Sequence, residues 1–227
     1  LAPGIAEGIQ ARGITSDRIS IIPNGCDLKI FGGNEISWRP DGIAPHQLLA
    51  VFAGTHGPAN GLHAVLDAAS VLKIRSREDI ALLLIGDGKL KTELQRRVAT
   101  ENLTNVHFHS PVGKNRLAGL MQDADIGLQI LANIPAFYYG TSPNKFFDYI
   151  AAGLPVLNNY PGWLADMITE NDCGFVVPPD DPSSLADALI VASDNRAALK
   201  RKGSNARRLA ETKFSRETLA EEWIDCL

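Results

Sequence analysis

The sequence predicts an α/β fold, a doubly wound parallel sheet with helices on both faces. Three observations predict it. Short apolar runs rich in Ile, Val and Leu recur along the chain, longer segments of helical period separate them, and turns rich in small residues follow several of the runs.

The apolar runs are Ile19–Ile22, Leu48–Phe52, Ala81–Ile85, Val106–His109, Ile126–Leu131, Pro155–Asn158 and Gly174–Val177, which makes six or seven strands. Ahead of them, Ile5–Arg12 has the look of a helix. Leu62, Val65, Leu66, Ala69 and Leu72 fall three and four residues apart, so an apolar stripe of that helix faces the sheet, and Leu90, Leu94 and Val98 repeat the arrangement after the third run. Asp180-Asp181-Pro182-Ser183 predicts an N-cap with Pro near the first turn of a helix whose apolar side includes Leu185, Leu189 and Val191. Phe214-Ser215 opens a last helix that ends in Trp223 and Ile224, and Pro40-Asp41-Gly42 belongs to a polar surface linker.

The bulk composition bounds the function. With 227 residues, 45% of them hydrophobic and 21% charged, there is material for one sizeable core, and one domain is the default. The net charge is −4 and the Lys and Arg residues are scattered, so no basic stripe is available to follow a nucleic-acid backbone. Cys26, Cys173 and Cys226 are far apart, with no paired spacing, as suits reduced thiols in the cytoplasm. No apolar run approaches the roughly 20 residues that cross a bilayer, and the start lacks the basic residues of a signal peptide. A chain that opens without Met, directly in a helix-like stretch, reads as a fragment. Its parent then keeps the option of peripheral attachment to the inner face of the membrane.

In open parallel sheets ligands sit outside the carboxyl ends of strands, so the loops after the runs are where chemistry is expected. Ala53-Gly54-Thr55-His56-Gly57-Pro58-Ala59-Asn60-Gly61 lets backbone approach a ligand, and Gly86-Asp87-Gly88 forms a second tight turn. His109-Ser110-Pro111-Val112 follows the fourth run, and a longer loop after Leu131 ends at Thr141-Ser142-Pro143-Asn144-Lys145-Phe146-Phe147-Asp148. There, Ser142 predicts the cap of a helix whose first positions are Pro143, Asn144 and Lys145. Such a start offers N–H groups and a lysine to a phosphate, and Asp148 one turn on could accept two hydroxyls of a ribose. An ordinary capped helix with a surface Lys–Asp pair fits the same spacing.

Taken together, these segments resemble the C-terminal, donor-binding domain of retaining glycosyltransferases of the GT-B fold. Ile21-Ile22-Pro23-Asn24-Gly25-Cys26-Asp27, with Phe31 after it, is similar to the "I-P-N-G-V-D…F" linker between that family's two Rossmann-like domains. Asp148-Tyr149-Ile150-Ala151-Ala152-Gly153-Leu154-Pro155-Val156 resembles its helix-to-strand signature "E-A-x-A-x-G-x-P-V". Leu83-Leu84-Ile85-Gly86-Asp87-Gly88 and Phe214-Ser215 match two further segments, all in order. The resemblance implies a linker region with a first βα element over 1–40, a nucleotide-sugar-binding domain over 41–210, and a helix over 211–227 that packs back toward an N-terminal domain.

Two departures from the family pattern stand out. Of the family's pair of Glu eight residues apart, Asp148 fills the second place, and the first falls on Gly140. The Arg and Lys that usually face the diphosphate are replaced by Thr55 and Asn60. These variants resemble a branch that acts on UDP-linked N-acetylated amino or deoxy sugars in surface-polysaccharide assembly. The resemblance therefore implies a donor diphosphate held by Gly54, Thr55, Asn60, Ser142, Asn144, Lys145 and Phe146, with Lys145 supplying the missing cation. It also implies a ribose on Asp148 and a base against His109, Ser110, Pro111 and Val112. The acceptor, a glycan or lipid-linked saccharide, would enter from the other domain. Neither a metal nor another cofactor is required, and the catalytic residues lie partly outside the chain.

Rival readings are weaker. Asp123-Ala124-Asp125 spells the D-x-D of metal-dependent glycosyltransferases but precedes a run instead of following one. His107 and His109 share a strand face without a third ligand at metal spacing. No dinucleotide fingerprint follows the first runs. A sugar-nucleotide epimerase or phosphorylase of the same fold, or a non-catalytic sugar-nucleotide-binding module, stays open as an alternative.

Overall fold

A computed structural model describes residues 2–33 and 35–226. Six strands form one sheet: β1 (Leu48–Ala53), β2 (Ile80–Ile85), β3 (Val106–His109), β4 (Ile126–Gln129), β5 (Val156–Asn158) and β6 (Gly174–Val176). Every pairing is parallel and the order is β3-β2-β1-β4-β5-β6, so the chain reverses its direction of travel across the sheet between β1 and β4. The crevice at the carboxyl ends of those two central strands is where such folds place ligands.

Eleven α-helices are described: α1 (Pro3–Gln10), α2 (Leu28–Phe31), α3 (His63–Ile74), α4 (Lys91–Glu101), α5 (Lys114–Asp123), α6 (Pro135–Gly140), α7 (Asn144–Ala151), α8 (Trp163–Glu170), α9 (Pro182–Asp194), α10 (Arg196–Lys213) and α11 (Arg216–Asp225). Strand residues alternate between two cores because successive side chains leave opposite faces. Leu49, Val51, Ala53, Leu83 and Ile85 pack with α5, α7 and α8, whereas Leu48, Ala50, Phe52, Leu82 and Leu84 pack with α3 and α9. Gly127 in β4 is needed for the first of these cores, since a Cβ there would lie 2.5 Å from the ring of Tyr149. The Tyr149 hydroxyl accepts from the Ala53 N–H at 2.9 Å, which ties α7 to the end of β1.

Most of the predicted helices appear where expected. Leu62, Val65, Leu66, Ala69 and Leu72 are buried, and Asp181 caps α9 by accepting from the Ser184 N–H at 2.9 Å. Ser215 caps α11 in the same way, accepting from Thr218. The differences are instructive. Ile19–Ile22 forms no strand, and among the described residues of 1–40 the expected first βα element does not appear; Cys26 makes an isolated bridge to Ser215. The stretch after Leu131 is not all loop, because Pro135 starts the short helix α6. Val191 is 54% exposed: it lies off the stripe set by Leu185 and Leu189, which are buried. Trp223 and Ile224 are likewise exposed, and α11 is anchored through Leu219.

Candidate functional site

A cavity of about 360 Å³ opens at the carboxyl edge of β1 and β2, lined by Ala53, Gly54, Thr55, Ile85, Gly86, Asp87, Pro111, Val112, Leu117, Met121, Lys145 and Asp148. That volume suits a small-molecule ligand. Its back wall is two turns pressed together. Gly86 and Gly88 have φ of +149° and +155°, and a Cβ on Gly86 would sit 1.9 Å from the Gly54 carbonyl oxygen. The His56 N–H donates to the Asp87 carbonyl at 2.8 Å, and the Leu90 N–H to the His56 carbonyl at 2.9 Å, so backbone bonds join the two loops. The His56 ring is fully buried, and among the described residues neither ring nitrogen has a partner. Burial, with Lys91 nearby, lowers its pKa, and Asp87 opposes them.

Lys145 and Asp148 enter this cavity from the first turns of α7. The buried residues Phe146, Phe147, Tyr149 and Ile150 fix the helix against the sheet. Lys145 Nζ lies 4.1 Å from the centroid of the Phe52 ring and donates to Asn60 Oδ1 at 2.8 Å, while Asn60 Nδ2 donates to the Thr55 carbonyl at 2.7 Å. No carboxylate pairs with this ammonium among the described salt bridges, and burial pushes its pKa down to about 7. Asp148 is pushed up to about 6 by burial, with Lys114 and Arg216 favouring its charged form and Asp27 opposing it. A cation and an anion thus stand one turn apart in the same cavity, both close to their titration points, which is a mark of functional sites.

Several expected contacts take a different form. Ser142 does not cap α7: the N-cap is Pro143, and the Ser142 hydroxyl accepts from the Asn24 N–H at 3.3 Å. The Phe146 N–H is already given to the Pro143 carbonyl at 3.1 Å and its ring is buried, so it offers nothing to a ligand. Asn144 is exposed at the start of α7 and Asn60 supports Lys145; neither lines the cavity. Pro111 and Val112 line its far end, but His109 turns away to Trp38, with ring centroids 5.3 Å apart, and Ser110 is exposed. Leu117 and Met121 from α5 complete an apolar slot there, which helical period alone marks only as core.

The D-x-D residues lie at the opposite, amino edge. Asp123 pairs with Arg39; Asp125 pairs with Arg196 and accepts from the Leu49 N–H at 2.7 Å. Among the described residues no three His, Cys, Asp or Glu side chains gather as metal ligands would, and His107 and His109 have no third partner.

The sequence profile described as "Glycosyl transferases group 1" matches residues 35–209, most of the chain. Among curated proteins, the chain is 25% identical over 213 residues to MMP alpha-(1->4)-mannosyltransferase of Mycolicibacterium hassiacum, covering 93% of this chain and 48% of that protein. It is 28% identical over 205 residues to lipopolysaccharide glucosyltransferase WaaG of Escherichia coli, covering 86% and 52%. The chain thus spans about half the length of these relatives. Its fold is similar to that of crystalline WaaG, with a TM-score of 0.75 at 23% identity, covering 99% of this chain and 60% of that one. It is also similar to Anabaena HepE in complex with UDP and glucose, with a TM-score of 0.79 at 17% identity and the same coverages.

Proposed function

From the premise that this chain belongs to the group 1 glycosyl transferases, we propose that it is the donor-binding half of a retaining, metal-independent transferase. Its donor is a sugar linked to a nucleoside diphosphate, UDP by preference. The observation that carries the reading is the pairing of Lys145 and Asp148 at the start of α7, facing one cavity beside the strand-order switch. The diphosphate lies against Gly54, Thr55 and the free N–H groups of α7, with Lys145 as its cation, and the ribose hydroxyls donate to Asp148. The base fills the slot of Pro111, Val112, Leu117 and Met121. Lys145 stabilises the negative charge that grows on the leaving diphosphate as the bond to the sugar breaks.

The acceptor is a glycan or a lipid-linked saccharide, as in surface-polysaccharide assembly, and it enters from the half of the parent that this chain does not span. The relatives' names and the chain's coverage of about half their length support that division. Gly140, beside which a Cβ would meet nothing within 4 Å, leaves the place of the family's first Glu without a carboxylate. That favours, as the second reading, a non-catalytic sugar-nucleotide-binding module. Titration calorimetry of the chain with UDP, GDP and ADP, in chelator and in Mg²⁺, tests the first. Chelator-resistant binding with UDP strongest is expected; a strict need for Mg²⁺, or no nucleotide binding, would sink it. Sugar transfer by the parent separates the two readings.

A further inference from the structure

The order Ser142-Pro143 predicts a particular helix start: Ser142 at the N-cap, Pro143 as the first helical residue, and the Ser142 hydroxyl accepting from the N–H of Asn144 or Lys145. The structure has a different one. Pro143 stays extended, at φ −75° and ψ 127°, α7 begins one residue late at Asn144, and no side chain caps it. What holds Ser142 away is Asn24, 118 residues earlier in the chain. The Asn24 N–H donates to Ser142 Oγ at 3.3 Å and its side-chain amide donates to the Ser142 carbonyl at 2.5 Å.

Asn24 is itself held. Two residues on, the Cys26 N–H donates to the Phe214 carbonyl at 2.6 Å, the Arg216 N–H donates to the Cys26 carbonyl at 3.2 Å, and the Cys26 thiol donates to the Phe147 carbonyl at 3.3 Å. Asp27 pairs with Arg216 at 2.8 Å. A fixed Asn24 with two bonds to one residue sets both the position and the orientation of Ser142. Turning the hydroxyl into a cap would draw it from the Asn24 N–H and swing Pro143 into helical geometry. Among the described residues, the N–H groups of Asn144 and Lys145, like the first donors of any helix without a side-chain cap, have no acceptor.

We propose that Asn24 is a positioning residue that keeps α7 uncapped, so that the N–H groups at its start, that of the cavity-lining Lys145 among them, are held open for the donor's diphosphate. This rests on the donor site proposed above. A helix whose own serine caps it competes with any anion for those donors, and a cap of ordinary strength corresponds to about a fivefold change in affinity. Held by the linker, the serine cannot compete. Binding at α7 and docking of Asn24 then favour one another, by reciprocal linkage.

Amide hydrogen exchange and calorimetry with UDP and uridine test this on the wild type, Asn24→Ala, Ser142→Ala and the double variant. In Asn24→Ala, exchange at Asn144 and Lys145 should slow and UDP should bind about fivefold more weakly, with uridine unaffected. Ser142→Ala alone should change neither, and in the double variant, which lacks the competing hydroxyl, UDP affinity should return most of the way. The inference is overturned if Asn24→Ala leaves exchange and affinity at wild-type values. It is equally overturned if the double variant binds as weakly as Asn24→Ala, because the loss then comes from a loosened loop. A slowing of exchange in Ser142→Ala would also refute it, without any change at Asn24. Should the wild type bind no UDP, the donor-site reading fails by itself, and amide exchange still decides whether Asn24 keeps the helix open.

Discussion

The two edges of the sheet carry cavities of very different character. The larger, about 820 Å³, lies at the amino edge, among Arg39, Asp125, Pro155, Arg196, Lys200, Arg207 and Arg208. Its charges are mostly spoken for: Arg39 by Asp123, Arg196 by Asp125, and Arg207 by Glu211 and the Ala151 carbonyl. The smaller, about 360 Å³, lies at the carboxyl edge, where Lys145 and Asp148 face the cavity with, among the described residues, no charged partner bonded to either and with pKa values moved toward neutrality. Ion pairs that close on themselves hold elements together, whereas buried charges left open wait for a ligand. Volume alone would choose the amino edge.

The sharpest way to break this contrast is Lys145→Ala. A charge-assisted hydrogen bond to phosphate is worth about 1.5–3 kcal/mol, so UDP affinity should fall roughly ten- to a hundredfold while uridine affinity holds. Calorimetry that finds UDP unaffected would return Lys145 to the role of a helix-surface cation.

The pH dependence of binding comes next, read with a UDP-sugar, whose diphosphate does not titrate near neutrality. An anion binds the protonated Lys145, so as pH rises through about 7 the affinity should drop, by at most tenfold per unit. The ribose needs ionised Asp148, so affinity should also drop as pH falls through about 6. The optimum therefore lies between about 6 and 7. Lys145→Arg, whose charge persists, should lose the alkaline limb. For folding of the free protein the sign at Lys145 is opposite: the unfolded chain holds that proton up to about 10.5, so stability rises as pH climbs from about 7.

Asp148→Asn keeps the shape and removes the charge, and should weaken UDP about fivefold while weakening 2′,3′-dideoxy-UDP less. Equal losses for both ligands, measured side by side, would mean that the carboxylate does not meet the ribose.

At the amino edge the expected effects on binding are smallest. Lys200→Ala and Arg208→Ala should leave UDP affinity within about twofold, and Arg196→Ala should cost about 1 kcal/mol of stability in denaturant melts without changing binding. A large loss of UDP affinity from any of the three would erase the distinction between the edges.

The strands were legible because Leu49, Val51 and Ala53 alternate with Leu48, Ala50 and Phe52, and each set has a core to enter. Ile19–Ile22 is also rich in isoleucine but has no neighbouring strand among the described residues, and an apolar run without a partner does not become a strand. At the site, local spacing placed Lys145 and Asp148 on one cavity, since one helix carries both. It misjudged Ser142, because what competes for that hydroxyl is Asn24, and a contact between residues so distant in sequence leaves no local trace. His109 was placed at the base as the first residue of the loop that follows the fourth run; its ring packs against Trp38, a contact across the chain that local spacing does not carry.

Asn60 stands where the pattern this chain resembles has a lysine, and here its Oδ1 accepts from the ammonium of Lys145 at 2.8 Å. A lysine at 60 would set a second positive charge against the first, so in this chain that place has room for one cation, and it comes from α7.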